Sequence, residues 1–173
     1  MNRRHFIGQS AAALGLVTGF ATQAHANLQK AEILVIGGGY GGATVAKYLR
    51  LFSNNTAKVT LIEPNASFIS CPMSNLVVGG SRKISEITTS YDNLSKRHGI
   101  KMIQDSVVSM DADKKTVKLA SGKSLRYDKV VVSPGVTLMM NSVEGLAEAN
   151  KAGVTLQAWK AGAETVALHK QIA

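Results

Sequence analysis

An α/β fold built on a parallel sheet is what this chain predicts, and three observations predict it. Ile33-Leu34-Val35-Ile36 is an unbroken run of β-formers, as suits a strand covered on both faces. Directly after it the apolar spacing turns helical, with Val45, Ala46, Leu49 and Phe52 on one face and Lys47 and Arg50 turned outward. Between them lie Gly37, Gly39 and Gly42, and a second apolar run, Lys58 to Ile62, closes on Glu63, 21 residues past Gly42. Strand, glycines, helix, strand and acid in that order make a Rossmann-like unit.

Each glycine has a separate reason. Gly37 permits a tight turn, Gly39 lets a pyrophosphate approach the backbone, and Gly42 lets helix and strand pack closely. The amides at the helix start then favour phosphate. Glu63 is placed to accept from ribose hydroxyls, and a carboxylate there disfavours a 2′-phosphate, so NADP is not expected. A lone GxGxxG is weak, because a glycine-rich turn can simply be tight packing. The agreement of all five parts carries the dinucleotide reading, although the spacing does not choose FAD over NAD.

Past Glu63 the chain runs through Pro64 and Asn65 into an expected loop from Phe68 to Asn75 that holds Cys71, followed by a short apolar piece and Gly79-Gly80. Ser90 to His98 predicts a helix, capped by Ser90 and ended at Gly99, with His98 suited to the negative end of its dipole. Four short runs follow: Ile100 to Gln104, Val107 to Met110, Thr116 to Leu119 and Leu125 to Tyr127, with a turn at Ser121-Gly122-Lys123. They predict a β-meander inserted before the chain returns to the sheet. Lys129 to Val132 predicts a third buried parallel strand, and its end, Ser133-Pro134-Gly135, is expected beside the same cofactor as the glycine turn.

The amino terminus reads as an export signal over residues 1–26. Arg3-Arg4 precede Phe6, no charged residue occurs from His5 through Gln29, and the mildly apolar core ends in Ala24-His25-Ala26. That core is too short for a membrane span of about 20 residues, so no membrane insertion is expected once it is removed. Adjacent arginines with a weak core resemble a twin-arginine signal, which implies export to the periplasm after folding; an ordinary secretory signal is the alternative. Residues 27–173 then form one domain's worth of chain, and the formal charge of +9 drops to +7 when Arg3 and Arg4 leave. The remaining Lys and Arg are scattered without aromatic interleaving, which argues against nucleic acid and leaves an acidic docking partner open.

With one cysteine, the chain forms no disulfide of its own, and Cys71 is inert, paired with another chain or chemically used. No CxxCH is present, so no c-type haem is attached here, and neither His98 nor His169 has a partner at metal-ligand spacing. No metal site is expected.

The sequence of elements resembles the FAD domain of the two-dinucleotide-binding flavoproteins, the pyridine nucleotide-disulfide oxidoreductase-like family. Within it, the chain is most similar to the flavoprotein subunits of flavocytochrome c sulfide dehydrogenases. The residues that carry this are Val35 to Thr44, Leu61 to Asn65, the Cys71-x-x-Ser74-Asn75 loop, Gly79-Gly80 and Ala158 to Gly162. The resemblance implies FAD, with Cys71 joined by a thioether to the 8α-methyl of the flavin ring. The expected cofactor-binding set is Gly37, Gly39, Tyr40, Gly41, Gly42, Glu63, Pro64, Cys71, Val108, Ser133, Pro134, Gly135 and Trp159. For Cys71 the plain alternative is a small buried thiol. For Trp159, on an expected Ala-rich helix, it is packing, and for Lys160 a solvated surface.

By resemblance, sulfide attacks a redox-active disulfide beside the flavin, and electrons leave singly to the haem of a c-type cytochrome subunit. No catalytic residue for that step lies within this sequence; the family's disulfide cysteines fall beyond the position of Ala173. The chain is therefore expected to be the amino-terminal, FAD-binding part of a longer enzyme, inactive toward sulfide by itself. Two alternatives stand beside this: a sulfide:quinone oxidoreductase or related flavin dehydrogenase, and a noncatalytic exported nucleotide-binding module.

Overall fold

The computed structural model describes Leu28 and residues 30–173; the expected signal segment lies outside them. The described residues form two compact units, one of residues 30–64 and 94–133 and one of residues 65–93 and 134–173.

The first unit is a four-stranded parallel sheet. Strands β1 (Glu32–Ile36), β2 (Lys58–Ile62), β5 (Lys101–Ile103) and β9 (Lys129–Val132) lie in the order β5-β2-β1-β9. Helix α1 (Tyr40–Phe52) is the crossover from β1 to β2. Two-residue alternation divides the apolar side chains between the faces. Ile33, Val35, Val59 and Leu61 are at most 2% exposed on the α1 side, and burying each such side chain contributes about 1.5–3 kcal/mol. On the other face Leu34 and Ile62 join Val117, Leu119 and Tyr127 of the meander in a second buried cluster.

The meander has three strands, β6 (Val107–Asp111), β7 (Thr116–Leu119) and β8 (Ser124–Arg126), paired antiparallel in that order. Ile100 to Gln104 does not belong to it. Alternation cannot tell a meander strand from a short parallel one, and β5 pairs instead with β2, Ile103 opposite Ile62. The strand expected to be buried at Lys129 to Val132 is an edge strand among the described residues, with Val132 54% exposed.

Helix α1 buries a narrower face than its apolar pattern implies. Gly42 and Ala46 are buried, whereas Phe52 is exposed and meets Tyr48 at a ring-centroid distance of 5.4 Å. Arg50 is turned inward rather than outward. Its guanidinium donates to the Ala57 carbonyl and, through Nε at 2.7 Å, to that of His98, the last residue of helix α3 (Asp92–His98). A long cationic side chain with five donors can satisfy loop carbonyls that no apolar residue could. Gly99, at φ +62°, ends α3 as expected, while the helix starts at Asp92 rather than after Ser90.

In the second unit, β3 (Ser67–Ile69) pairs antiparallel with β4 (Thr88–Ser90). The segment expected to be a loop is ordered: β3 leads into a 3₁₀ turn over Cys71–Met73 and then helix α2 (Ser74–Val78). Helices α4 (Leu146–Lys151) and α5 (Ala163–Ile172) complete the unit, and α5 packs against α2. Val77, Ile87 and Thr165 are buried here. None of the described helices is long and apolar enough to cross a membrane.

Candidate functional site

The site follows from strand register. Ile103, Ile62, Ile36 and Val132 lie side by side across the sheet. The residue after each of them therefore comes next in the same row: Gln104, Glu63, Gly37 and Ser133. Backbone bonds tie the row together, with Glu63 N–H donating to Ile103 O at 3.0 Å, Gly37 N–H to Ile62 O at 2.9 Å and Ser133 N–H to Ile36 O at 2.8 Å. Carboxyl ends of parallel strands are where open α/β sheets bind ligands.

Gly37 has φ +96°, a conformation side-chain-bearing residues rarely adopt. A Cβ on Gly42 would lie 1.8 Å from the Gly37 carbonyl oxygen and 3.4 Å from Val35 Cγ1, so the absence of a side chain sets how closely helix meets strand. Gly39 is the residue before α1, in extended conformation, and no side chain caps the helix. No acidic residue occupies its first turn either, which leaves the positive end of the dipole to an external anion. Gly41 approaches the row from the helix: a Cβ there would come 2.9 Å from Ser133 Oγ. Tyr40 opens the helix and is 57% exposed.

Glu63 is 8% exposed, and its Oε2 accepts from Gly38 N–H at 2.7 Å. The acid thus holds the glycine turn from below as well as facing the strand ends. Gly38 is buried and was not among the expected site residues, because the glycine spacing singles out positions that need space, whereas this position is used for its amide. Gln104 was missed for a different reason: it matters only through its place in the row. Its Nε2 donates to Pro64 O at 3.3 Å, joining the segments that leave β5 and β2.

Val108, also expected in the set, lies at a bulge where β6 shifts register against β7, and it is 59% exposed. Bulges re-aim side chains. Pro134 and Gly135 follow Ser133 directly; both are exposed, and Gly135 has φ +76°.

In the second unit, Cys71 is half-buried and opens the 3₁₀ turn. Ser74 Oγ donates to the Cys71 carbonyl at 2.7 Å, fixing the turn. Trp159 is not on a helix. It is 57% exposed in a loop between α4 and α5, where Lys160 N–H donates to Gln157 Oε1 at 2.8 Å. An Ala-rich local sequence suggests a helix, but Gly162 next to it ends the run. Glu164 ties this loop down, accepting from Asn150 Nδ2 at 3.0 Å and Gln157 N–H at 3.2 Å. Those bonds, the Asn150 one foremost, hold its carboxyl below the ordinary 4.5.

A carboxyl with a lowered folded value contributes stability that is complete above its ordinary value and is lost as pH falls through the lowered one. Trp159 is the single tryptophan of the chain, so its emission should shift as pH falls through the lowered Glu164 value and the loop loosens. Glu164→Gln should remove that step; an identical titration in the variant would show that another group causes it.

The folded arrangement defines a Rossmann-like α/β domain of the kind that binds FAD. Residues 31–167 match the pyridine nucleotide-disulphide oxidoreductase family, and the chain belongs to it. The mitochondrial sulfide:quinone oxidoreductase of Dictyostelium discoideum is 36% identical over 127 residues, 72% of this chain and 27% of that protein. The flavoprotein chain of a sulfide dehydrogenase (flavocytochrome c) from Chlorobaculum thiosulfatiphilum is 51% identical over 46 residues, 27% of this chain and 94% of that short sequence. Among solved structures, the sulfide:quinone oxidoreductase of Aquifex aeolicus superposes with a TM-score of 0.72 at 28% identity, over 82% of this chain and 31% of that one. The chain spans about a quarter of the length of the sulfide:quinone relatives it matches.

Proposed function

We propose that this chain is the FAD-binding part of a periplasmic sulfide dehydrogenase that passes electrons from sulfide, through flavin, to a c-type cytochrome subunit. The observation that carries the cofactor is the buried Glu63 carboxylate bonded to Gly38 N–H beneath a turn whose Gly42 admits no Cβ. That cradle fits a dinucleotide diphosphate and ribose. Gly37, Gly39, Tyr40, Gly41 and Gly42 would surround the diphosphate, Glu63 and Pro64 the ribose, and Val108 the adenine end. Ser133, Pro134 and Gly135 would border the path to the ring, and Cys71 and Trp159 would serve the ring itself. Bound flavin supplies a two-electron sink that can be emptied one electron at a time.

This chain's own work is binding and attachment. Glu63 fixes the ribose and the turn together, the amino end of α1 neutralises phosphate charge, and Cys71 supplies the tether. Cys71, a free and half-buried thiol, would be the residue that holds the flavin ring covalently. Attachment suits a protein exported to a compartment without FAD supply, the destination that Arg3-Arg4 and Ala24-His25-Ala26 support.

The strong local identity to a flavocytochrome c flavoprotein chain supports the cytochrome-linked reading. The longer alignments to sulfide:quinone oxidoreductases favour a second reading, in which quinone is the acceptor. Protein made with its signal and precipitated in acid separates tether from simple binding. A yellow pellet whose added mass of one FAD vanishes in Cys71→Ala is expected, and a colourless pellet would sink attachment. Sulfide-dependent reduction of cytochrome c rather than of a short-chain quinone, assayed on protein purified from its source, distinguishes the two acceptors.

A further inference from the structure

His169 has no part in the reading above, yet it is tied to the segment that carries Cys71. Its Nδ1 lies 2.9 Å from the carbonyl oxygen of Val78, the last residue of α2. A carbonyl only accepts, so Nδ1 carries the hydrogen and donates it. Helix α2 has five residues, too few to persist without tertiary support. Its amino end is continuous with the Cys71 turn: Ser74, 6% exposed, donates through Oγ to the Cys71 carbonyl, and its N–H donates there too. Its carboxyl end turns back through Gly79 N–H to Asn75 O at 2.9 Å and Gly80 N–H to Val77 O at 3.1 Å.

The imidazole also shapes the next turn. Gly80 has φ +75°, and a Cβ there would come 3.0 Å from His169 Cε1, so the glycine leaves room for the ring as well as for the backbone angle. One turn earlier on α5, Thr165 is fully buried and its Oγ1 accepts from Gly162 N–H at 3.0 Å, which fixes the start of that helix. The histidine therefore projects from an anchored helix onto the end of a short one that cannot hold itself.

We propose that His169 is a positioning residue for flavin attachment: it holds α2, and through Ser74 the Cys71 turn, in the conformation that presents the thiol. The proposal rests on the attachment reading above. A packing histidine would affect stability and total flavin together, whereas a positioning one changes the attached fraction at constant total flavin.

The test uses the full chain, with His169→Phe to keep ring volume while removing the donor and His169→Gln to keep a donor within reach of the same carbonyl. Attached flavin is read from acid-precipitated protein and total flavin from native protein. In flavin-free protein, the rate of Cys71 alkylation by iodoacetamide is measured as well. Misplacement by about 1 Å can slow a reaction on the order of a hundredfold, so His169→Phe is expected to attach flavin ten- to a hundredfold more slowly at unchanged total flavin. His169→Gln should restore the rate, and the Cys71 alkylation rate should change in Phe and return in Gln. Attachment at the wild-type rate in His169→Phe would overturn the proposal, as would a parallel loss of total and attached flavin without rescue by Gln. Should wild-type protein itself carry no attached flavin, the attachment reading fails and this role with it, whereas unequal attachment among the variants tests His169 alone.

Discussion

Replacing Gly42 with alanine should abolish FAD retention and destabilise the first unit. Alanine is the better helix former by about 1 kcal/mol, so propensity alone predicts a gain. Sterics decide otherwise: the new methyl would stand 1.8 Å from the Gly37 carbonyl oxygen and 3.0 Å from its carbon, both backbone atoms that cannot rotate away. Relief requires α1 to lift from β1, which breaks the packing of Ala46 and Val35 and opens the turn. Overpacking of this kind costs about 3 kcal/mol, leaving a net loss of about 2 kcal/mol. Gly41→Ala is the matched control. Its methyl meets only Ser133 Oγ, at 2.9 Å, and a hydroxyl rotor can turn aside. Urea midpoints should separate the two, and flavin content after gel filtration measures the loss in Gly42→Ala. Wild-type behaviour of Gly42→Ala would mean that the helix–strand approach is not what shapes the site.

Glu63→Ala should cost nearly as much, by a different route. Gly38 N–H would lose its buried acceptor, and an unsatisfied buried donor costs about 1–3 kcal/mol. The ribose would lose its partner at the same time. We expect FAD affinity to fall about a hundredfold, the equivalent of a lost charged hydrogen bond of about 3 kcal/mol. Glu63→Gln, which keeps one acceptor oxygen for Gly38, should recover stability before affinity. Fluorescence titration of flavin-free protein measures the affinity, and unchanged binding in Glu63→Ala would remove the carboxylate from the cofactor site.

The parts of this architecture that short-range rules govern were legible in the sequence. Consecutive β-formers before Gly37, the change to helical spacing after Ala43, and the acid closing β2 each report a local requirement, and together they placed the glycine turn against the sheet. What local pattern could not supply was pairing. Ile100 to Gln104 has the same composition whether it joins a meander or a parallel sheet, and only the register with β2 decides. Arg50 looked like a surface charge because nothing nearby in sequence reveals that the carbonyls of Ala57 and His98 converge on it. Phe52 looked like core because spacing records a face but not its width. Gly38 and Gln104 carry no spacing signal at all; one acts through an amide, the other through its place beside neighbours far along the chain. The order in the Cys71 segment depends on α5, nearly a hundred residues later.

The alignment of Gln104, Glu63, Gly37 and Ser133 divides the chain into parts whose length is locked and parts whose length is free. Each of the four is simply the next residue after a strand, so outside the Gly37–Gly42 turn the segments joining the strands can grow or shrink without disturbing the line. An insertion inside Lys58–Ile62 is another matter: it moves the acid one place along and turns alternate side chains to the opposite face. Natural drift in size should therefore collect in the connections, while the four strands keep count.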